Sequence, residues 1–408
     1  MEFEIWDLRF GIWDLEFGIW NFADCTAFLQ KNFIFFEEKE IYLGEDIVKQ
    51  SFVYLYDYVV DTKVCFVCIL VVCYLLTNSV NQKSMKKLIQ NKLGLAYNAI
   101  TSFEFALVKN DSFLDIALEE SSLYVISQRP IITFENVFFF ESNLFFEIHQ
   151  RGNENILKGK LPLMQNELGF TKKDTIALAL NFLDKNNFKR NQPFNDLYGF
   201  SLVKQDANNP KIIIWFSPEK LMFNWWKGKI KCDIEGDFKS FLKYKVHYVG
   251  KATKQSILKR LTGHSTFQDI LSLQNPITYK DLPSHEISIL CFKFDDNIEI
   301  SIFGENSSSE DMIKSINGKN FPKQEIFFLD AEKALIQAMK PKYNKELFKK
   351  YPQSKDGLYL HKYDYISYTF IDPITLIYDE GEINGGIDFD GGDIIEIKNN
   401  KESILVKR

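Results

Sequence analysis

A disulfide framework is missing from this sequence. Its six cysteines (Cys25, Cys65, Cys68, Cys73, Cys232 and Cys291) are irregularly placed, as suits a reducing compartment, and the cytoplasm is the expected location. Cys65-x-x-Cys68 has half of a metal-site spacing, but it lies in an apolar run with no second pair behind it, so no zinc site is expected there. That run, Val64–Leu76, is thirteen residues long and falls short of the ~20 needed to cross a bilayer. It also comes too late for an ordinary signal peptide. A basic coat is absent as well. The net charge of −6 excludes a protein covered in cations, though not a local site for a polyanion.

The remaining charge is unevenly distributed. Phe238 to Gln268 holds no carboxylate but carries Lys239, Lys243, Lys245, Lys251, Lys254, Lys259 and Arg260. Asp379 to Glu396 reverses the sign, with carboxylates and no base. A local positive field on an acidic chain suits a small nucleic-acid site, and a solvated helix face explains it equally well until a motif decides.

The chain divides into four stretches. Residues 1–84 open on a seven-residue repeat, Ile5-Trp6-Asp7-Leu8-Arg9-Phe10-Gly11 and its near copies. A glycine and bulky aromatics in each unit argue against a coiled coil. The repeat reads as translated tandem-repeat DNA upstream of a start at Met85. Residues 85–227 read as an α/β module, with helical spacing over Met85–Val108 and over Lys172–Asn186, and strands at Tyr124–Ser127, Val137–Phe140 and Ile212–Phe216. No catalytic constellation stands out there, and lone His149 reads as a packing or surface residue. Residues 347–408 read as a small β-rich cap, with strands at Leu358–Leu360, Ile366–Phe370, Thr375–Tyr378 and Ile394–Ile397 between glycine turns. Asp388, Asp390 and Asp393 lie close together, but their spacing is not that of an EF-hand, and turn chemistry is the expected role.

Residues 228–346 carry the chemistry. Val246-His247-Tyr248-Val249-Gly250-Lys251 reads as a strand and glycine turn, followed by an amphipathic helix reaching Arg260-Leu261-Thr262-Gly263-His264. Ile257, Leu258 and Leu261 form its buried stripe, and Arg260 and His264, four apart, share a face. A second helix, from Leu329, contains Glu332 and ends at Pro341-Lys342-Tyr343-Asn344.

Tyr-Val-Gly before an Arg-x-x-x-His helix, with a later helical Glu and a Pro-x-Tyr-Asn, resembles the GIY-YIG nuclease family. The resemblance implies an α+β fold for these residues, a small antiparallel sheet flanked by helices, between the α/β module and the β-rich cap. It implies a metal-dependent endonuclease in which Glu332 holds one Mg2+ or Mn2+ and Arg260 faces the phosphate. Tyr248 and His264 complete the hydrogen-bonded centre, and Asn344 anchors one side of it. Lys251, Lys254 and Lys259 are the expected nucleic-acid contacts, with DNA the expected partner ahead of RNA and no membrane partner. The family's first half-motif, with its own tyrosine, is not present as such: Gly236-Asp237-Phe238 has the position without the phenol, and Tyr244 has the phenol but sits too near. A non-catalytic nucleic-acid-binding module and an RNA-cleaving toxin are the rival readings. A tyrosine from any segment approaching Arg260 and Glu332 separates the first of these from a nuclease.

Overall fold

The computed structural model describes residues 85–408 except 172–173, 185–190, 206–209, 279–280, 305, 319–320, 387–391, 399–401 and 408. The heptapeptide repeat, the Val64–Leu76 run, the Cys65–Cys68 pair, Asp388 and Asp390 therefore lie outside the described residues.

Where Met85–Val108 reads as one helix, the chain forms a strand and a shorter helix. Lys86–Leu95 is β1, buried from Leu88 onward, and its polar residues mimic helical spacing. Asn91 donates to the Ser367 carbonyl (3.1 Å) and accepts from Asn297 Nδ2 (2.7 Å). With amides satisfied inside the sheet, the alternation of a half-buried strand never appears. After β2 (Ile100–Thr101), Thr101 and Glu104 form a reciprocal capping box that starts helix α1 (Ser102–Val108), and α2 (Ser112–Ala117) follows.

The chain then makes β3 (Leu123–Gln128) and leaves for a second sheet, formed by β4 (Ile132–Phe140), β5 (Asn143–Gln150), β6 (Ile156–Pro162), β7 (Ile176–Phe182), β8 (Leu197–Lys204), β9 (Lys211–Phe216) and, after α3 (Pro218–Trp226), β10 (Asp233–Glu235). It returns as β11 (Lys243–Lys251), α4 (Ile257–Thr262), α5 (Ser265–Leu273), α6 (Pro283–Glu286) and β12 (Ile287–Ile302). Helices α7 (Ser309–Ile316) and α8 (Gln324–Met339) precede β13 (Tyr365–Phe370), β14 (Thr375–Tyr378), β15 (Gly381–Asn384), β16 (Ile394–Lys398) and β17 (Glu402–Val406).

The first sheet runs β15-β14-β11-β3-β12-β1-β13-β16-β17, with β2 added beside β12. It is mixed, because β14 lies parallel to β11 and β13 parallel to β1, and it is curled into a half-barrel. Helix α8 is buried on nearly every side, through Phe327, Phe328, Ala331, Ala334, Leu335, Ile336 and Met339, and packs on β3, β11 and the far edge strand β17. It fills the curl. The second sheet, β10-β6-β5-β4-β8-β7 with β9 on β8, is antiparallel throughout.

These sheets correct the expected fold class. The nuclease-like residues do not form a small sheet flanked by helices; their strands β11 and β12 sit either side of β3 within a much larger sheet. Residues 85–227 are mostly strands rather than an α/β module. Lys172–Asn186, expected as a helix, contains β7, where Ile176, Leu178, Leu180 and Phe182 alternate toward the core. Thr171 caps nothing there, since its own N–H and hydroxyl donate to Asp174 (2.8 and 3.0 Å) in a turn. The tail is no separate cap either: β13–β17 complete both ends of the large sheet. Leu358–His361 within it is a 3-10 turn instead of a strand, and Asp393, buried, caps the Asn384 backbone N–H (2.7 Å) as turn chemistry requires.

One hydrophobic core spans both sheets, from Ile89 and Val125 to Phe200 and Phe216. A second cluster lies on the other face of β3, where Tyr124 and Ile126 meet α4 and α5 through Ile257, Leu261, Phe267 and Ile270. Fully buried Arg129, the first residue after β3, is ion-paired with Glu219 of α3 and lies over the Tyr244 ring (5.9 Å). This clamps the two ends of the 129–242 excursion together. Among the described residues no helix is long and apolar enough to cross a membrane.

Candidate functional site

Strands β3 and β11 are antiparallel neighbours, so two tyrosines far apart in sequence meet. Tyr248 pairs with Ile126 and Gly250 with Tyr124. A bulge between Val246 and Tyr248 shifts the register, and such a bulge re-aims the side chains after it. Tyr248 therefore turns to the face that carries Tyr124, with ring centroids 6.2 Å apart. Gly250 lies within β11, not in the expected turn. A Cβ there would sit 2.6 Å from the Tyr124 hydroxyl and 2.5 Å from the Tyr248 ring, so the glycine makes room for both phenols.

Tyr124 is the residue that sequence reasoning missed. The residues just upstream of Tyr248 bring no phenol to the centre, since Phe238 packs against Trp225 (5.1 Å) and Tyr244 is sealed against Arg129. A signal existed: Tyr124–Ser127 reads as a strand, and Leu123-Tyr124 has the apolar-then-tyrosine order of the missing half-motif. What hid it is the second sheet, folded from the residues between β3 and β11.

Arg260 is carried by α4, which starts at Ser256, whose hydroxyl accepts from Lys259 N (3.4 Å). The helix ends at Thr262, so His264 is not on its face as the four-residue spacing implied; it is the N-cap of α5, its Nδ1 accepting from Phe267 N (3.1 Å). The ring still reaches the centre, 5.0 Å from Tyr248 and 6.1 Å from Tyr124. Glu332, nearly buried on α8, forms an ion pair with Lys251 at the end of β11 (Nζ to Oε2, 2.6 Å). Asn344 grips the same strand, accepting from Val249 N (2.9 Å) and donating to Val249 O (2.8 Å). Its amide replaces a missing strand neighbour and positions Tyr248 and Gly250. Lys254 and Lys259 are exposed with no carboxylate partner among the described residues, whereas Lys251 is committed to Glu332.

Charge and burial act together here. Burial pushes the Tyr124 phenol up, Tyr248 and Glu332 push the same way, and Arg260 opposes them. Tyr248 is raised by burial and by Glu332, again against Arg260. The Tyr124 hydroxyl is fully buried within reach of Arg260 and Tyr248, yet makes no hydrogen bond of ordinary geometry. A buried hydroxyl without a well-aligned partner costs free energy. His264 is lowered by burial and by Arg260, hence neutral near pH 7. With Nδ1 used as an acceptor its proton is on Nε2. Among the described residues no three His, Cys, Asp or Glu cluster as metal ligands. A divalent ion at Glu332 would therefore take one protein carboxylate, with water and phosphate oxygens completing its shell, a donor set that suits magnesium or manganese.

Family profiles, characterised proteins and solved structures were each compared with this chain, and none matches it.

Proposed function

We propose that the chain is a metal-dependent endonuclease that hydrolyses phosphodiester bonds in DNA, in the manner of the GIY-YIG enzymes its motifs resemble, and that it works in the cytoplasm. The observation that carries this reading is the meeting of Tyr124, Tyr248, Arg260, His264 and Glu332 around the buried Tyr124 phenol. Tyr124 takes the part of the first half-motif's tyrosine.

Each residue has a task its environment suits. Both phenols stay protonated near neutral pH and so donate hydrogen bonds, to a phosphate oxygen or to the attacking water. Arg260, always charged, steadies the charge that grows on phosphorus oxygens as the water oxygen bonds to phosphorus and the bond to the leaving sugar oxygen breaks. His264 donates through Nε2 and buttresses Tyr248. Glu332 would hold the metal, which when bound polarises the phosphate and acidifies coordinated water. Lys251 must release Glu332 for that to happen, and is then free to meet the substrate.

The test is cleavage of plasmid and oligonucleotide DNA with magnesium, manganese and a chelator. Cutting should need the metal, and Glu332→Ala and Arg260→Ala should each lose about 10²-fold or more in rate while remaining folded. A Glu332 held permanently by Lys251 favours the binding-module reading. Salt-sensitive DNA binding with no cutting under any metal would decide for it.

A further inference from the structure

Resting on that reading, we infer that the segment Lys342–Lys355 is a cationic strap that binds the phosphate backbone of duplex DNA beside the cutting centre. This segment follows α8 and carries Lys342, Lys345, Lys349, Lys350 and Lys355, all exposed. None of the five has a carboxylate partner among the described residues. The strap's one carboxylate, Glu346, is turned back on its own backbone, accepting from Phe348 N (3.1 Å).

The strap is anchored to the site at both ends. At its start Asn344 holds Val249, next to Tyr248 and Gly250. At its far end Asp356 is ion-paired with Lys333 (2.7 Å) and feels the charge of Lys251, the partner of Glu332. Between them Leu347 and Phe348 pack inward on the main core and Tyr351 is buried. The apolar side chains thus fix the backbone, which leaves the lysines directed to solvent. Helix α4 with Lys259 and Arg260, and Lys254 in the turn before it, border the same centre. Two unneutralised cationic segments beside one buried phenol, on a chain of net charge −6, match a polyanion laid across that centre. A duplex fits better than a lone strand, because the exposed strap side chains are cations and not the aromatic platforms that single strands stack on.

The experiment is equilibrium binding of a fluorescent DNA duplex to the full chain, with chelator present to stop turnover, across a series of salt concentrations. Lys345→Gln, Lys349→Gln and Lys350→Gln combined should lower the slope of log affinity against log salt by ~2.7, at about 0.9 per phosphate contact. At 0.1 M salt that is a loss on the order of 10²-fold in affinity. The control, Lys158→Gln with Lys160→Gln on the second sheet, removes two charges away from the strap and should leave the slope unchanged. An unaltered slope in the strap variant, an equal fall in the control, or no duplex DNA binding by the parent chain overturns the strap; tight binding of duplex RNA alone would replace DNA as its partner. The two readings fail separately. Metal-dependent cutting with an unaltered slope removes only the strap, while strap-dependent binding without cutting removes only the nuclease.

Discussion

Replacing Tyr124 with phenylalanine separates what the buried phenol does for the fold from what it does for chemistry. The hydroxyl is sealed from water and makes no hydrogen bond of ordinary geometry, although Arg260 and Tyr248 lie within reach. A buried polar group left without a partner costs about 1–3 kcal/mol, and Tyr124→Phe removes that cost. The ring keeps its contacts with Tyr248 at 6.2 Å and His264 at 6.1 Å. The variant should therefore be more stable by about 1 kcal/mol, or roughly 1 °C in Tm for a chain of this size, while DNA cutting falls about 10²-fold for want of a positioned proton donor. Thermal melts followed by circular dichroism, and single-turnover cleavage of a labelled duplex, supply the two readouts. Gain of stability with loss of rate is the signature of a group kept for function at the fold's expense. A melting point that drops by several degrees would mean the hydroxyl is bonded and structural. A wild-type rate would remove Tyr124 from the reacting centre.

Two further outcomes concern the frame around the site. Burial, then Lys245 and Lys342, hold the His247 imidazole down to about 4. The unfolded chain thus takes up a proton near pH 6.5 that the folded chain refuses, and stability should fall by about 3 kcal/mol as pH drops from 6.5 to 4. His247→Gln should flatten that part of the profile in urea titrations, and an unchanged profile would refute the assignment. Asp330 accepts from Tyr351 (2.7 Å), Tyr368 (2.6 Å) and Leu358 N (2.8 Å). Asp330→Ala strands these donors and should cost about 4 kcal/mol in denaturant unfolding; a cost below about 1 kcal/mol would show that water or a neighbour takes its place.

How much of this was legible depended on how local each signal is. That Glu332, Arg260 and Asn344 lie on or beside helices was legible because a helix register and a proline stop are written within a few residues. The tail strands at Ile366–Phe370, Thr375–Tyr378 and Ile394–Ile397 were found for the same reason, since alternation and glycine turns fix them nearby. Lys86–Leu95 was misread because its buried amides answer to Ser367 and Asn297, residues far along the chain. Tyr124 was missed for a related cause: only the pairing of β3 with β11 gives it a role, and no local pattern encodes a partner strand across an intervening sheet. His264 lies beside the two tyrosines but not on the helix face expected of it, because the break after Thr262 depends on how α5 is capped.

The interleaving of β3, β11 and α8 also bears on how the protein is made. Tyr124, Tyr248, Arg260, Glu332 and Asn344 leave the ribosome at widely separated moments, and the bonds from Tyr351 and Tyr368 to Asp330 on the helix that carries Glu332 come later still. At ~5–20 residues per second, the better part of a minute can pass before all the parts coexist. Contacts between strands so distant in sequence also form slowly, since a long loop must be closed before any of them is gained. No partial chain holds a complete centre. On the proposed reading, such a centre is silent throughout its own synthesis, and a ribosome that stalls or a protease that clips the nascent chain releases only fragments without a complete centre.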